Sequence, residues 1–423
     1  MGAHFIVQGG KSLKGTIHVN GAKNAVLKSL AATILFEDTV RIENVPLIED
    51  VFRAVELLED LGIEVERKNR TIKIKTKNLH KTNLDINIAR SLRASIVMIG
   101  PILAREKKAF FPHPGGCVIG KRPINLFLEG WKCMGAECRE TKRGYTLKAK
   151  KLKGCEFIFR NISVTGTETL MMTAVLAEGT TTLRNAACEP EITALAEFLN
   201  RCGAHIEGAG THTIKITGTG GKLLQTRRKA IKTIPDRIEA GSFLALGALL
   251  GRPLKVTGCD PEHLSVPLQI LQEAGVPIRK GKDWIQVSKS RKLKSLDLKT
   301  REYPGLPTDL QSLFVILMTQ AEGQSMVHET VFEGRLNYIE ELNRMGARIT
   351  MCDPHRALIH GPTRLRAREI ESTDIRAGLA FLIGAMIAKG ESRVNNIYQI
   401  DRGYEHIEER LIKLGAQIQR IES

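Results

Sequence analysis

Six segments of the chain share one pattern of apolar and polar positions, which predicts an amphipathic helix followed by a strand. Each helical segment ends in Leu, Met, Cys or Ala and then a glycine, at positions 62, 135, 203, 275, 346 and 415. Glycine readily adopts the left-handed conformation that closes many helices, so we predict helix ends there. Alternating polar and apolar residues follow, as at 71–75 and 213–216, and these predict strands.

A second helical pattern recurs in the same six segments. These helices are rich in Ala and Leu, are apolar on nearly every face, and begin near residues 23, 93, 167, 236, 309 and 374. A helix without a polar face belongs inside a domain, so we expect these six helices to be buried. The amphipathic helices carry the charges and should face water.

The spacing of the repeat sets the domain organisation. Successive repeat glycines are 73, 68, 72, 71 and 69 positions apart, which gives six units of similar length. A continuous solenoid would favour shorter repeats without buried central helices, so we predict an α/β protein of two domains, each with three units. The first strand, near residues 5–19, should pair with the C-terminal half. We therefore expect residues 1–22 and 234–423 in one domain, residues 23–233 in the other, and a ligand in the cleft between them.

Charge and composition narrow the class of partner. The 423 residues include 63 basic and 46 acidic ones, and the net charge of +17 suits nucleic acid or a small, multiply anionic substrate. The basic residues are spread along the chain and only 5% of residues are aromatic, so stacking platforms are scarce and we expect no nucleic-acid partner. No apolar run is long enough for membrane insertion, and the N-terminus lacks the pattern of a signal peptide.

Eight cysteines are scattered through the sequence. They form no CxxC pair, and no histidine pair with ligand spacing accompanies them, so we expect no metal and no cofactor. Scattered thiols without a recognisable signal peptide indicate a reducing compartment, the cytoplasm.

Residues 110–123 surround Cys117 with three prolines and three glycines, which predicts a loop. Lys121 and Arg122 stand close to the cysteine in sequence. Because nearby cations favour the thiolate, the pKa of Cys117 should be depressed. The glycines would let the loop close over a ligand. The simpler alternative is a surface turn with an incidental cysteine.

Polar residues recur where the buried helices begin. They are Lys23, Asn24, Arg93, Asp236, Asp309 and Asp374. A single Asp at a helix start commonly caps the free N–H groups, and an Asp beside an Arg commonly forms an ordinary ion pair. Recurrence at the same place in the repeat instead favours a shared site, and the helix dipoles would make that site attractive to anions.

Seven short motifs carry a resemblance to a known family. They are GAKNA at 21–25, PGGC at 114–117, IGKRP at 119–123, EPEI at 189–192, PDRIE at 235–239, PTD at 307–309 and DRGY at 401–404. With these motifs the chain resembles, over essentially its whole length, the UDP-N-acetylglucosamine 1-carboxyvinyltransferases, which are enolpyruvyl transferases similar in fold to the EPSP synthases. The resemblance implies two inside-out α/β domains, each of three βαβαββ units. The PGGC loop distinguishes the chain from the EPSP synthases themselves.

The resemblance also implies a reaction. A monomer would transfer the enolpyruvyl group of phosphoenolpyruvate to the 3′-hydroxyl of UDP-N-acetylglucosamine and release phosphate, the first committed step of peptidoglycan synthesis. Lys23, Arg122 and Arg402 would clamp phosphoenolpyruvate, because three cations match a trianion. Asp309 would accept or position the hydroxyl proton, and Cys117 would protonate the methylene carbon. The epoxide fosfomycin would alkylate Cys117.

A set of substrate contacts follows from the same resemblance. The residues are Lys23, Asn24, Arg93, Arg122, Pro123, Ile124, Asn125, Leu126, Ser163, Val164, Asp309 and Val331. Six positions depart from the pattern usual in the family: Lys28, Val97, Asn125, Phe127, Asn161 and Cys188. Lys28 stands where a proline is common, and Cys188 replaces an arginine. Asn125 and Phe127 flank the expected uridine site, where Phe127 would offer a flat face to the base.

Two alternatives to this function stay open at the level of sequence. A paralogous enolpyruvyl transferase of the same fold would act on a different nucleotide or on a cyclic alcohol. A catalytically silent anion-binding protein would keep the fold but would not need Cys117 and Asp309 together. Their joint presence with the three clamp cations favours an enzyme.

Overall fold

The computed structural model describes residues 2–77, 79–113 and 124–422, with the backbone alone at Arg93. These residues divide into two units. The terminal unit contains residues 2–20 and 235–422, and the middle unit contains residues 21–113 and 124–234. Each unit folds around its own hydrophobic core.

The described helices alternate between buried and amphipathic ones along the chain. They are α1 (Lys23–Ala32), α2 (Glu49–Asp60), α3 (Ile86–Ser91), α4 (Ile99–Glu106), α5 (Asn125–Cys133), α6 (Val164–Val175), α7 (Pro190–Arg201), α8 (Arg237–Leu250), α9 (Ser265–Glu273), α10 (Gln311–Met318), α11 (Ile339–Arg344), α12 (Ile375–Ile387), α13 (Tyr398–Asp401) and α14 (Ile407–Ile412). Short 3-10 turns at Arg93–Met98 and Thr308–Leu310 lead into α4 and α10.

The described strands are short, and most belong to small four-stranded sheets. They are β1 (His4–Gln8), β2 (Leu13–His18), β3 (Val40–Glu43), β4 (Glu64–Lys68), β5 (Thr71–Lys75), β6 (Lys108–Pro112), β7 (Glu137–Thr141), β8 (Gly144–Lys148), β9 (Glu156–Ile158), β10 (Thr180–Arg184), β11 (His205–Glu207), β12 (Thr213–Thr217), β13 (Ala230–Lys232), β14 (Gly251–Thr257), β15 (Ile278–Lys280), β16 (Trp284–Val287), β17 (Leu298–Lys299), β18 (Gly323–His328), β19 (Ile349–Asp353), β20 (Arg356–Gly361), β21 (Glu369–Glu371), β22 (Glu391–Asn395) and β23 (Gln417–Ile421).

Sheet topology repeats with the units. The middle unit has the strand orders β13-β3-β5-β4, β6-β8-β7 and β11-β12-β10-β9, and the terminal unit has β15-β16-β14-β2, β17-β18-β20-β19 and β21-β22-β1-β23. Each four-stranded sheet combines one parallel pair with antiparallel pairs, as where β14 runs parallel to β2 and antiparallel to β16. Three small sheets per unit agree with the predicted α/β fold of two domains with three units each.

The N-terminal strands pair with the C-terminal half, as the sequence predicts. Strand β1 lies between β22 and β23, with Phe5 opposite both Val394 and Arg420. Strand β2 pairs with β14, with Ile17 opposite Val256. The chain therefore leaves the terminal unit after Asn20 and returns to it at residue 235.

The six repeat glycines lie just after the ends of α2, α5, α7, α9, α11 and α14. All six have positive φ, between 85° and 106°, which is the left-handed conformation that the pattern predicts. A side chain there would strain the backbone, so these positions fix where each amphipathic helix stops.

The apolar helices form the centre of each unit. Every residue of α8 and of α10 is buried, and α1, α4, α6 and α12 are buried over most of their length. This placement confirms the prediction drawn from their lack of a polar face. Among the described helices, none has the length and apolar character needed to cross a bilayer.

Candidate active site

The carboxylate of Asp309 lies between two buried arginines in the terminal unit. Asp309 belongs to the 3-10 turn that leads into α10. Its Oδ1 accepts a hydrogen bond from Arg335 at 2.7 Å, and its Oδ2 accepts one from Arg376 at 2.9 Å. The two arginine side chains are 4% and 5% exposed, whereas the carboxylate is 27% exposed. The arginines therefore fix the orientation of a carboxylate that is still accessible.

The other two helix-start aspartates are caps. Asp236 accepts hydrogen bonds from two backbone N–H groups in the first turn of α8, and Asp374 does the same for α12. For Asp236, where the sequence suggested an ion pair with Arg237, the structure shows a cap, and for Asp374 the capping interpretation is confirmed. It is wrong for Asp309, because Pro307 occupies the N-cap position of its turn and the carboxylate pairs with arginines instead.

Arg376 is held by a buried hydrogen-bond network. Its Nη1 donates to the Tyr404 hydroxyl at 3.1 Å, and that hydroxyl lies 3.0 Å from Ser242 Oγ. Burial alone would lower the pKa of Arg376, but the neighbouring Asp309 and Tyr404 raise that pKa overall. Burial also raises the pKa of the Tyr404 hydroxyl. The network thus contains a permanent cation and a neutral tyrosine next to the Asp309 carboxylate.

Arg335 links Asp309 to the loop after β18. The Arg335 guanidinium donates to the Thr308 carbonyl at 3.2 Å, and the Thr308 hydroxyl donates to Glu329 at 2.8 Å. The other carboxylate oxygen of Glu329 accepts from the Val331 N–H at 2.8 Å. The structure therefore brings two predicted substrate contacts, Asp309 and Val331, into one hydrogen-bonded assembly.

Arg402 follows α13, directly before a glycine that lies against the same network. Its Nη1 donates to Gln399 Oε1 at 3.1 Å, and the side chain is partly buried. A Cβ atom on Gly403 would come within 2.7 Å of Ile375 and 3.7 Å of Arg376 Nη1. In the DRGY motif, the predicted clamp residue Arg402 is therefore followed by Gly403, which lies close to Arg376.

Lys23, the other predicted clamp cation in the described part of the chain, is the first residue of α1 in the middle unit. Its Nζ lies 3.1 Å from Asp50 Oδ2, at the start of α2, and the two side chains are 11% and 6% exposed. Asn24 follows it and is half-buried. The pair brings a compact cation to the opening of a buried helix, where the helix dipole also favours anions.

The predicted acceptor contacts of the middle unit lie at the starts of α5 and α6. Ser163 caps α6 by accepting a hydrogen bond from the Gly166 N–H at 3.1 Å, and Val164 is the first helical residue. The Leu126 side chain packs so closely that its Cδ1 would lie 2.5 Å from a Cβ atom on Gly166. The structure therefore groups Leu126, Ser163 and Val164.

Residues 124–127 form the start of α5, and their side chains point in different directions. Ile124 occupies the N-cap position and is buried, whereas Asn125 is exposed. Phe127 is only 6% exposed, and its ring centroid lies 6.0 Å from that of Trp131. The expectation that Phe127 offers a face to the uracil base is therefore wrong, because its ring belongs to the core of the unit.

Several predicted site residues lie outside the described part of the chain. They are Cys117, Arg122 and Pro123, together with the side chain of Arg93. The predicted loop around Cys117 and its closure over a ligand fall in the same segment and stay predictions.

Burial makes most of the described thiols poor nucleophiles. It raises the pKa of Cys138, Cys202 and Cys259 to about 11 and that of Cys155 to about 12, and it also raises the pKa of Cys188. Because the thiolate is the reactive form, these five residues should react slowly at neutral pH. Cys133 and Cys352 are exposed.

Sequence reasoning missed the partners of the predicted residues. Arg335, Glu329 and Asp50 hold Asp309, Val331 and Lys23 in place, yet none of the three partners stands in a motif. Each of the three stands among other polar or charged residues, so the sequence gives no signal that marks it.

The architecture and these residues define a class of protein. The sequence profile of the family described as EPSP synthase (3-phosphoshikimate 1-carboxyvinyltransferase) matches residues 7–411, so the chain belongs to the EPSP synthase family. Solved structures agree in fold. The enolpyruvyl transferase NikO from Streptomyces tendae has a TM-score of 0.89 at 25% identity over 100% of this chain and 99% of that one. EPSP synthase from Acinetobacter baumannii has a TM-score of 0.76 at 18% identity, over 99% of this chain and 100% of that one.

Within the family, the chain is most informatively compared with relatives named UDP-N-acetylglucosamine 1-carboxyvinyltransferase. It is 44% identical over 421 residues to that protein of Koribacter versatilis, and 45% identical over 422 residues to that of Acidobacterium capsulatum. Each match covers 99% of this chain and 96% of the relative. The resemblance inferred from the seven motifs is thereby confirmed.

Proposed function

We propose that the protein transfers the enolpyruvyl group of phosphoenolpyruvate to the 3′-hydroxyl of UDP-N-acetylglucosamine and releases phosphate. The observation that carries this proposal is the identity of 44% and 45%, over 99% of the chain, to relatives of that name. The arrangement around Asp309 supports it independently, because a fixed and accessible carboxylate suits the activation of a hydroxyl group.

Asp309 is the residue that handles the proton of the acceptor hydroxyl. Arg335 and Arg376 each occupy one carboxylate oxygen, and an oxygen of this kind has a further lone pair for the substrate. Two cationic partners make a carboxylate a weaker base but orient it well. Asp309 therefore acts first by positioning the hydroxyl and accepts its proton as the new C–O bond forms.

The cations that bind phosphoenolpyruvate are Lys23, Arg122 and Arg402. Lys23 presents an ammonium group at the start of α1, and Arg402 presents a planar guanidinium suited to a carboxylate or a phosphate. Cationic donors fixed before the reaction stabilise the charge of the tetrahedral intermediate without reorganising.

Cys117 supplies a proton to the methylene carbon as the hydroxyl oxygen attacks the neighbouring carbon. The product of this addition is a tetrahedral ketal phosphate. Loss of a proton from the methyl carbon then expels phosphate and restores the double bond, which leaves the enolpyruvyl ether. The raised pKa values of five other thiols, which are partly or fully buried, agree with Cys117 as the reactive cysteine.

The contacts of the nucleotide sugar are proposed from the family resemblance. The proposed contacts are Asn24, Arg93, Arg122, Pro123, Ile124, Asn125, Leu126, Ser163, Val164, Asp309 and Val331. Asn125 is exposed and carries both a donor and an acceptor, so it is the side chain best placed to read a uracil edge.

A direct assay tests the function. Phosphate release should require both phosphoenolpyruvate and UDP-N-acetylglucosamine, and kcat/KM should be higher for this acceptor than for uridine monophosphate or shikimate 3-phosphate. A preference for either other acceptor would replace the proposal with the paralogue of different specificity. Absence of turnover with all three would favour an anion-binding protein.

A further inference from the structure

The core of the middle unit contains an ion pair that the reaction described above does not use. Lys28 Nζ on α1 lies 3.1 Å from Glu168 Oε2 on α6, and the two side chains are 7% and 0% exposed. Among the described residues, neither oxygen of this carboxylate has a partner in hydrogen-bond geometry, so the contact with Lys28 is an ion pair. A fully buried carboxylate whose oxygens are not satisfied by hydrogen bonds is costly, so its presence in the core needs an explanation.

Stability does not supply that reason. A buried ion pair loses the hydration of both charges, and apolar residues of similar volume usually stabilise a protein as well or better. The best-attested role of such a pair is to select one register between two packed elements.

The two residues of the pair occupy similar places on their helices. Lys28 is the sixth residue of α1, which begins at Lys23, and Glu168 is the fifth residue of α6, which Ser163 caps. At 1.5 Å per residue, each lies roughly 7.5 Å along the helix axis from Lys23 or Ser163. Each helix packs against the 3-10 turn Arg93–Met98, and the ion pair connects the two helices beside this shared contact.

We propose that Lys28 and Glu168 are positioning residues for the enolpyruvyl transfer: their ion pair sets the register of α1 against α6 and so fixes Lys23 and Ser163. This inference rests on the proposed function, in which Lys23 binds phosphoenolpyruvate and Ser163 contacts the nucleotide sugar. Neither Lys28 nor Glu168 touches a substrate.

The strength of the pair depends on pH. Burial raises the pKa of Glu168 to about 7, Lys28 lowers it, and the buried carboxylates of Glu191 and Glu189 at the start of α7 raise it further. Below that pKa the Lys28 ammonium faces a neutral carboxyl group, and above it a carboxylate, so the electrostatic attraction between the two side chains is stronger above that pKa. The positioning effect is therefore greatest at alkaline pH.

The kinetic test compares Glu168→Gln with the parent between pH 6 and pH 8.5. Gln resembles protonated Glu, so kcat/KM for phosphoenolpyruvate should match the parent at pH 6 and be roughly tenfold lower at pH 8.5. Glu197→Gln, which changes an exposed carboxylate on α7, is the matched control and should follow the parent throughout. If the ratio of kcat/KM between Glu168→Gln and the parent does not change with pH, the proposal is overturned.

A second variant keeps the test decisive if Glu168→Gln folds poorly. The double change Lys28→Met with Glu168→Leu removes both charges and should fold well. It should still show the roughly tenfold loss of kcat/KM at pH 8.5, because the register is no longer specified. Parental kcat/KM in this variant at that pH would show that the pair only fills space.

Hydrogen–deuterium exchange separates this inference from the proposed function. At pH 8.5, both variants should exchange faster than the parent in the first turns of α1 and α6, with unchanged exchange in α10 of the terminal unit as an internal reference. If the parent releases no phosphate, the proposed function fails, and this measurement alone decides whether the pair fixes the helix starts. Unchanged exchange in both first turns would overturn the positioning role.

Discussion

The free energy of unfolding of the middle unit should respond to pH through Glu168. Burial raises the pKa of this carboxyl from 4.5 to about 7 in the folded protein. Between these two values the folded state binds a proton that the unfolded state has lost, so the unfolding free energy falls as the pH rises. The contribution of Glu168 to the unfolding free energy is complete below pH 4.5 and is lost above about pH 7.

The magnitude follows from the pKa difference. A shift from 4.5 to about 7 corresponds to about 3 kcal/mol, at 1.36 kcal/mol for each pH unit. Because most of the titration lies near neutral pH, about 2 kcal/mol of this change should occur between pH 5.5 and pH 8.5. Glu168→Gln cannot titrate, so its unfolding free energy relative to the parent should rise by that amount over the same range.

The two tryptophans make the measurement specific to one unit. Trp131 is buried in the middle unit, where its Nε1 donates to Thr173 at 3.2 Å, and Trp284 is in the terminal unit. In a Trp284→Phe background, fluorescence during urea unfolding reports on the middle unit alone. This matters because a chain with two units need not unfold in a single step.

The contributions of the other titrating groups to the unfolding free energy cancel when the variant is compared with the parent. Carboxyls with a lowered pKa, such as Glu64 and Glu178, change stability with the opposite sign but are common to the parent and the variant. For Glu197→Gln in the same background, the difference in unfolding free energy from the parent should not change with pH. A difference between Glu168→Gln and the parent that is equal at pH 5.5 and pH 8.5 would refute the reasoning about burial.

Three further predictions concern the site. Asp309→Asn should reduce kcat by roughly 10²–10⁴-fold, as expected for a lost proton acceptor, while calorimetry shows a much smaller loss of affinity for UDP-N-acetylglucosamine; near-normal turnover would leave Asp309 a structural residue. Arg376→Met should destabilise the terminal unit by roughly 3 kcal/mol in urea unfolding followed by Trp284 fluorescence in a Trp131→Phe background, because it removes a buried guanidinium paired with a partly exposed carboxylate; a loss below about 0.5 kcal/mol would contradict the role of the network. Substoichiometric alkylation mapped by mass spectrometry should label Cys117 first, and Cys117→Asp should resist fosfomycin while keeping activity; preferential labelling of another cysteine would refute this assignment.

The repeat could be predicted from sequence because its signals are local. A glycine after an amphipathic helix restricts the backbone whatever the rest of the chain does, and all six repeat glycines have positive φ. The buried helices were equally predictable, because a helix with no polar face is stable only when it is buried in the core. These two signals were enough to give three units per domain.

The partners of the site residues were not predictable, because they depend on packing between distant segments. Asp309 pairs with Arg335 and Arg376, which are 26 and 67 positions away in sequence. A lone aspartate at a helix start is usually a cap, and that expectation was met at Asp374 but not at Asp309. Asp236 caps α8, although the sequence suggested an ion pair with Arg237 there. Phe127 shows the same limit, because sequence does not reveal which face of a short helix meets the core.

Buried charge connects the proposed site with the further inference. Lys23 with Asp50, Lys28 with Glu168, and Asp309 with its two arginines all lie on or beside the central helices, where apolar residues would pack at lower cost. The first and third sets contain residues proposed to meet substrate, so their cost has a functional explanation. The second set contains no residue proposed to meet substrate, and it lies five residues after Lys23 and Ser163 in sequence. The cost of burying Lys28 and Glu168 has a functional explanation if the pair positions the first turns of α1 and α6. The comparison of Glu168→Gln with the parent at different pH values tests this positioning effect.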